Sequence, residues 1–358
     1  MKTNWKLWAA ALSCVALVAA CDDEELTTTP PPDFIYPATG AYVLNQGSYG
    51  LVDGTISFLD LTTGNLGSGD LFASANQGRS MGDTPQDIVV YGSHIYIAVY
   101  GSGLVWVLDR GTRTIETSIT VDQPRDLVAE GGKVYVSNYN GYVSRIDTTS
   151  LSVEARCQVG VYPEQMAVRD GYLYVANSYG LTSDARGNCL SKVRLSDFEM
   201  ETQVNVGLNP VKLISDGRGN LFVSVPGDYS GAPQIKKVDK DDKVTYVTDG
   251  LLAATYSNRL YVINTVYDSN YTVSRNDVTC FDTDSGDTVS VAPFEVPADC
   301  NPQSFTVDLA TGQFYVTGYP SDNFLGNGIL LRYSFDGSLM KRYSVGLNPV
   351  AIAFDRPE

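Results

Sequence analysis

A single histidine, His94, sets the first limit on the chemistry open to this chain. Metal centres built on several imidazoles are excluded. A Ser-His-Asp triad needs only one, but His94 stands inside a strand-like run, Ser93-His94-Ile95-Tyr96-Ile97, and reads as a structural residue. Two acidic runs could attract a cation. Asp282-Thr283-Asp284-Ser285-Gly286-Asp287 faintly resembles a calcium loop, and Asp239-Lys240-Asp241-Asp242 is similarly rich in carboxylates. Both fall where the chain is expected to turn, and both read as ordinary turns. There is no phosphate-cradling Gly loop and no paired-Cys zinc spacing. Carboxylates are plentiful, so an acid/base pair among them stays open. The expectation is a binding protein with no enzymatic activity, no metal and no resident cofactor.

The elements that position these residues repeat. An aromatic followed by a β-branched residue occurs at Tyr42-Val43, Tyr96-Ile97, Tyr135-Val136, Tyr174-Val175, Phe222-Val223, Tyr261-Val262 and Tyr315-Val316. A proline recurs at Pro85, Pro124, Pro163, Pro210, Pro302 and Pro349, with Gly250 in the equivalent slot. A strand ending near an Asp follows at Asp60, Asp109, Asp147, Asp239 and Asp282. Repeats of roughly 40–50 residues built from four short strands are the mark of a β-propeller. The predicted fold is all-β: a seven-bladed β-propeller over residues 41–358 with four antiparallel strands, a to d, per blade. The chain enters at a b-type strand, Ala41 to Asn45, and its last strand, Val350 to Phe354, is a-type. The C-terminal strand is therefore predicted to join the N-terminal blade and close the ring.

Loop lengths distinguish the two faces. From the proline slot to the aromatic pair, across the a–b turn, the spacing is 11 to 13 residues. From the aromatic pair to the end of strand c, it is 12 to 21 residues. The b–c and d–a connections share one face, here the top, and long loops on a rigid scaffold usually carry binding. The top loops supply Tyr49, Tyr100, Tyr139, Tyr179, Tyr229, Tyr267, Tyr319 and Phe324, together with Asn45 and the d–a stretch Ala73 to Thr84. Tyrosine offers a large ring and one hydroxyl with few torsions to freeze. Gln86, Arg125, Glu164, Lys212 and Gln303 are predicted to line the mouth of the central channel. Their charges are mixed and point to no single-sign ligand. The formal net charge of -16 makes nucleic acid an unfavourable partner.

Cys157, Cys189, Cys280 and Cys300 could pair as Cys280–Cys300 within one blade and Cys157–Cys189 across neighbours, or stay free and buried. Spacing alone does not choose.

The N-terminus reads as an address. Met1 to Lys6 is basic, and Leu7 to Ala20 is an apolar run of 14 residues, the length of a signal-peptide core. It ends Leu17-Val18-Ala19-Ala20-Cys21, which resembles the lipobox of bacterial lipoproteins. That resemblance implies removal of residues 1–20 and lipidation of Cys21. Asp22-Asp23-Glu24-Glu25 resembles the Bacteroidetes signal for export to the cell surface. The implied location is the outer face of the outer membrane, held by the lipid alone. Residues 21–40 are acidic and then Pro/Thr-rich, and read as an extended tether.

Two stretches carry a family resemblance. Val121 to Asp147, with Val-Asp-Gln-Pro-Arg-Asp-Leu and Lys-Val-Tyr-Val-Ser-Asn-Tyr, resembles YncE-like seven-bladed propellers. Tyr42 to Gly50, Gly54 to Ser57 and Met81 to Gln86 are similar to BtuG-type cobalamin-binding surface lipoproteins of Bacteroidetes. Gln46 stands where that pattern has Glu. The second resemblance implies capture of a corrinoid (vitamin B12) on the propeller face and transfer to a TonB-dependent outer-membrane transporter, by a protein that is otherwise monomeric. A protein-interaction or adhesion propeller is the alternative, and a lactonase-type hydrolase a more distant one.

Overall fold

The computed structural model describes residues 35–178, 187–289 and 294–357. The expected signal segment, Cys21, most of the tether and Tyr179 lie outside the described residues. The compact unit that begins at Tyr36 is the predicted propeller: its described residues form seven four-stranded antiparallel sheets. The inner strands of blades 1 to 7 are Pro349–Asp355, Pro85–Tyr91, Pro124–Glu130, Pro163–Arg169, Lys212–Ser215, Leu252–Tyr256 and Cys300–Asp308. Blade 1 continues outward through Gly40–Asn45, Thr55–Asp60 and Asn65–Leu66. The C-terminal strand pairs antiparallel with Gly40–Asn45, Tyr42 opposite Ala353 and Val43 opposite Ile352.

The aromatic/β-branched marker follows from strand geometry. Adjacent side chains on a strand point to opposite faces, so one must meet the preceding blade and the other the following one. Tyr42 packs with Ile88, Ile95 and Ile97 of blade 2, while Val43 packs with Tyr315 and Leu330 of blade 7. The same division holds around the ring: Tyr174 joins Leu213 and Val223 of blade 5, and Val175 joins Tyr135 and Val143 of blade 3. Each interface therefore receives a large ring from one side and a branched aliphatic from the other. Gly250 replaces proline in its slot because φ is +151°, in a region where side chains are strained, and an added Cβ would lie 2.4 Å from Val262.

Closure is reinforced beneath the ring. Arg110 Nε of blade 2 donates to Asp355 Oδ1 at 2.8 Å, and the Tyr42 hydroxyl donates to Asp355 Oδ2 at 3.0 Å. Arg356 then reaches Asp308 of blade 7 at 2.7 Å.

Three expectations need correction or refinement. The stretch Ala73 to Thr84 is not wholly loop: a short helix, Leu71–Ala75, capped by Asp70, inserts Phe72 into the core between blades 1 and 2. Of the alternatives open to Cys157, Cys189, Cys280 and Cys300, the free and buried state is the one present, and neither possible disulfide forms. Cys157 packs among Met166, Leu173 and Val175, whereas the Cys189 thiol donates to Asn177 Oδ1 of its own blade at 3.7 Å. Cys280 lies opposite Tyr261 and Cys300 opposite Pro320, each within its own ladder. Burial pushes the Cys300 thiol up to about 12. Finally, the calcium-like run is a turn cap. Asp282 Oδ1 accepts from the Asp284 and Ser285 amides, and Oδ2 accepts from Asn258 and Arg259.

Candidate functional site

The inner strands leave a cavity of about 680 Å³ at the top of the channel. Its walls are unlike. Blades 2 to 5 contribute Gln86, Arg125, Asp126, Glu164, Gln165 and Lys212. Blades 5, 6, 7 and 1 contribute Val211, Leu251, Leu252, Ile263, Val266, Pro302 and Val350, with Gln303, Asn264, Gln46 and Asn348 between them. Gln86, Arg125, Glu164, Lys212 and Gln303 therefore all stand where the proline spacing placed them.

The polar wall is internally matched. Arg125 Nη1 donates to Gln86 Oε1 at 2.6 Å, and its Nε and Nη2 donate to Glu164 Oε2 at 3.2 and 2.9 Å. The guanidinium lies 4.4 Å from the Tyr139 ring centre and 5.6 Å from that of Tyr100. The Tyr139 hydroxyl donates to Glu164 Oε1, and burial raises its pKa well above the ordinary phenol range. Tyr100 and Tyr139 stack edge to face at 5.6 Å. Both tyrosines thus brace Arg125.

Below this layer the blades are stitched together. Asp87 Oδ2 accepts from the Leu127 amide at 2.9 Å, Asp126 Oδ2 from Met166 at 2.9 Å, and Gln165 Oε1 from Leu213 at 3.2 Å. These residues were not picked out from sequence, although each lies two places after its proline, as Lys212 does after Pro210. Burial pushes the Asp87 carboxyl up to about 7. Burial, and then the charge of Asp87, push Asp126 well above the carboxylate range.

A raised folded-state pKa means that the folded protein binds these protons more tightly than the unfolded chain does. The associated stability is complete below the ordinary value of 3.8 and is lost as pH rises towards about 7. Asp87→Asn keeps an oxygen for the Leu127 amide and removes the charge. Its melting temperature is expected to match that of the wild type at pH 4 and to exceed it at pH 8. Coincident melting curves at both values would contradict this assignment.

A family model described as a domain of unknown function, DUF5074, matches residues 39–318. The chain belongs to the DUF5074 family. No curated protein matches it. Among solved structures, a quinonprotein alcohol dehydrogenase-like protein from Bacteroides thetaiotaomicron superposes with a TM-score of 0.65 at 15% identity, covering 90% of this chain and 79% of that one. Hydrazine synthase from Kuenenia stuttgartiensis gives 0.62 at 17%, covering 75% and 89%. The computationally designed Ika8 protein gives 0.57 at 12%, covering 89% and 92%. At such identities the likeness is one of fold.

In this DUF5074 propeller the remaining candidates divide between rim and interior. Tyr49 and Phe324 stand on the top rim, 78% and 67% exposed. Tyr271, another top-loop tyrosine, joins them at 89% exposed. Tyr229 is also exposed, and its hydroxyl accepts from Asn209 at 3.0 Å. Tyr267 borders the cavity and donates to Asn301, which in turn donates to the Tyr319 hydroxyl. Tyr319 and Phe324 flank a side recess with Gly47, Leu347 and Asn348. Asn45 does not reach the face. It is fully buried, and its amide donates to Thr55 and Ser57 Oγ at 3.1 Å each. His94 lies at the opposite end of its strand from the cavity and hydrogen-bonds Glu116 at 3.0 Å.

Proposed function

We propose that this propeller is a lipid-anchored protein of the outer-membrane surface that captures a corrinoid in the top cavity and passes it to a TonB-dependent transporter. It binds and releases its ligand without a chemical step. The observation that carries the reading is the cavity lining. Six carboxamides, Gln46, Gln86, Gln165, Asn264, Gln303 and Asn348, share the cavity with an aliphatic wall. A corrinoid is a rigid macrocycle edged with amide arms and methyl groups. Its amides can exchange hydrogen bonds with the carboxamides while its methyls bury against Leu251, Leu252 and Val266. The cavity takes the part of such a ligand that points inward, and exposed aromatics such as Tyr49 and Phe324 cover the rest. A ring of rigid strands lowers the ordering cost of binding.

The BtuG-like first blade supports the same reading, and Gln46, its point of departure, is on the cavity wall. The Cys21 lipobox and the acids behind it would supply the anchor and the address. The full chain in detergent, mixed with cyanocobalamin and passed through a sizing column, is expected to carry corrin absorbance at one equivalent. Leu252→Trp, which fills the cavity, is expected to lose it. Elution of the wild type free of corrin would remove the reading.

A protein-docking role is the second reading. Tyr49, Leu51, Val52, Phe324, Leu325 and Tyr271 are all exposed on top loops of blades 6, 7 and 1. That apolar crescent favours a macromolecular partner on the same face.

A further inference from the structure

The run of acceptors two places after the proline ends at Lys212, the one cation in that slot. In blades 2, 3 and 4 the residue two places after the proline is a hydrogen-bond acceptor. Asp87, Asp126 and Gln165 each take the amide of the next inner strand, at Leu127, Met166 and Leu213. Lys212 occupies the same slot of blade 5, two places after Pro210. An ammonium has no lone pair, so it cannot accept an amide from blade 6. The stitching role that explains its three predecessors cannot explain Lys212.

Nor does another structural partner account for it. Among the described residues the Lys212 side chain makes no hydrogen bond and no ion pair within 4 Å, though Glu164, Asp126 and Asp87 act on it from a distance, and it lines the cavity. Arg125, the other cation of the wall, is held by Glu164 and Gln86. Glu164 is shared further with Tyr139 and Ser178. The mixed charge of the mouth therefore resolves into a matched set and one ammonium that lies near Glu164, Asp126 and Asp87 but is hydrogen-bonded to none of them. Val211, Leu251 and Leu252 border the same space, and low polarity strengthens an ion pair formed there. Burial lowers the Lys212 pKa, a cost that an arriving anion would offset.

We propose that Lys212 is the anion anchor of the cavity and receives a phosphate or carboxylate group of the ligand. On the corrinoid reading, on which this identification rests, the group is the phosphodiester of the nucleotide arm. Cobinamide keeps the macrocycle and its amides but ends before that phosphodiester. Lys212 therefore sets a preference for the complete ligand over the truncated one.

The test is equilibrium binding of cyanocobalamin and of dicyanocobinamide to the full chain in detergent, for the wild type, Lys212→Met and Lys212→Arg. Lys212→Met is expected to bind cyanocobalamin roughly 10- to 100-fold more weakly and cobinamide within about twofold of wild type, the range for loss of a charge-assisted hydrogen bond. Lys212→Arg is expected to retain most of the preference. Equal losses for both ligands, or no loss for either, would overturn the proposal and leave the corrinoid reading standing. If the wild type binds neither, the corrinoid reading falls and inorganic phosphate decides. A rise in melting temperature with phosphate over chloride at matched ionic strength, present in wild type and absent in Lys212→Met, supports an anion anchor. The same response in both proteins overturns it.

Discussion

A chain that stops at Asn348 is expected to lose its cooperative unfolding transition. The missing strand, Pro349–Asp355, is the inner wall of blade 1 and contacts both neighbours. Ala353 is buried against blade 2, with Val350 and Ala351 packed beside it, while Ile352 and Phe354 pack towards blade 7. Phe354 also stacks edge to face on Tyr315 at 5.2 Å. Truncation strips the ladder from Gly40–Asn45, exposes those side chains and removes Asp355 from Arg110 and Tyr42. Apolar burial alone amounts to about 5 kcal/mol at ~1.5–3 kcal/mol for a fully buried aliphatic or aromatic side chain, discounted for partial burial. That is comparable to the whole stability of a typical domain, about 5–15 kcal/mol. Thermal unfolding followed by near-ultraviolet circular dichroism reads the effect, and a peptide spanning residues 347–358 should restore part of the transition. A truncated chain that melts as sharply as the intact one, within a few degrees, would show that closure does not hold the ring.

The second large effect is expected at Arg169, a buried cation clamping blade 4 to blade 5 beneath the channel. Its Nη1 donates to the Val238 and Asp239 carbonyls at 3.0 and 2.8 Å, and its Nη2 donates to Asp242 and the Tyr174 hydroxyl. The guanidinium also covers the Tyr174 ring at 4.4 Å. Arg169→Met fills the space but removes the donors to the Gly219, Val238 and Asp239 carbonyls and one of the two cations that hold Asp242. Removing one partner of a buried pair costs about 3–5 kcal/mol. Asp197→Asn breaks the exposed Arg194–Asp197 pair, a 2.6 Å contact, and is expected to change stability by no more than about 0.5 kcal/mol. Denaturant melts of the two variants compare them directly. Equal small effects would show that the Arg169 cluster does not lock the blades.

The same residues show how far sequence carries. Blade number, strand order and closure were legible because the aromatic/β-branched pair is forced by alternation: Tyr42 must face one neighbour and Val43 the other. The channel mouth was legible because the proline slot starts the inner strand, so the residues just after it enter the cavity. Long-range choices were not legible. Nothing beside Tyr139 in sequence says that its hydroxyl turns to Glu164 on the next blade and leaves the rim. Asn45 ends a strand as a loop residue might, yet its amide points into the blade at Thr55 and Ser57. The acids around Asp242 read as a solvated turn, and the cation that uses one of them lies 73 residues earlier. Cysteine spacing allowed bridges that the blade cores do not form, because each thiol packs into its own surroundings.

The most direct measurement of the central claim is a calorimetric titration of the compact unit from Tyr36 to Glu358 with cyanocobalamin. One-to-one binding with a negative heat-capacity change, abolished by Leu252→Trp, is the expected result and places a corrinoid in the cavity. No heat from the wild type, together with no shift of its melting temperature at saturating ligand, would contradict corrinoid capture and leave the exposed crescent of Tyr49, Phe324 and Tyr271 to be explained by a protein partner.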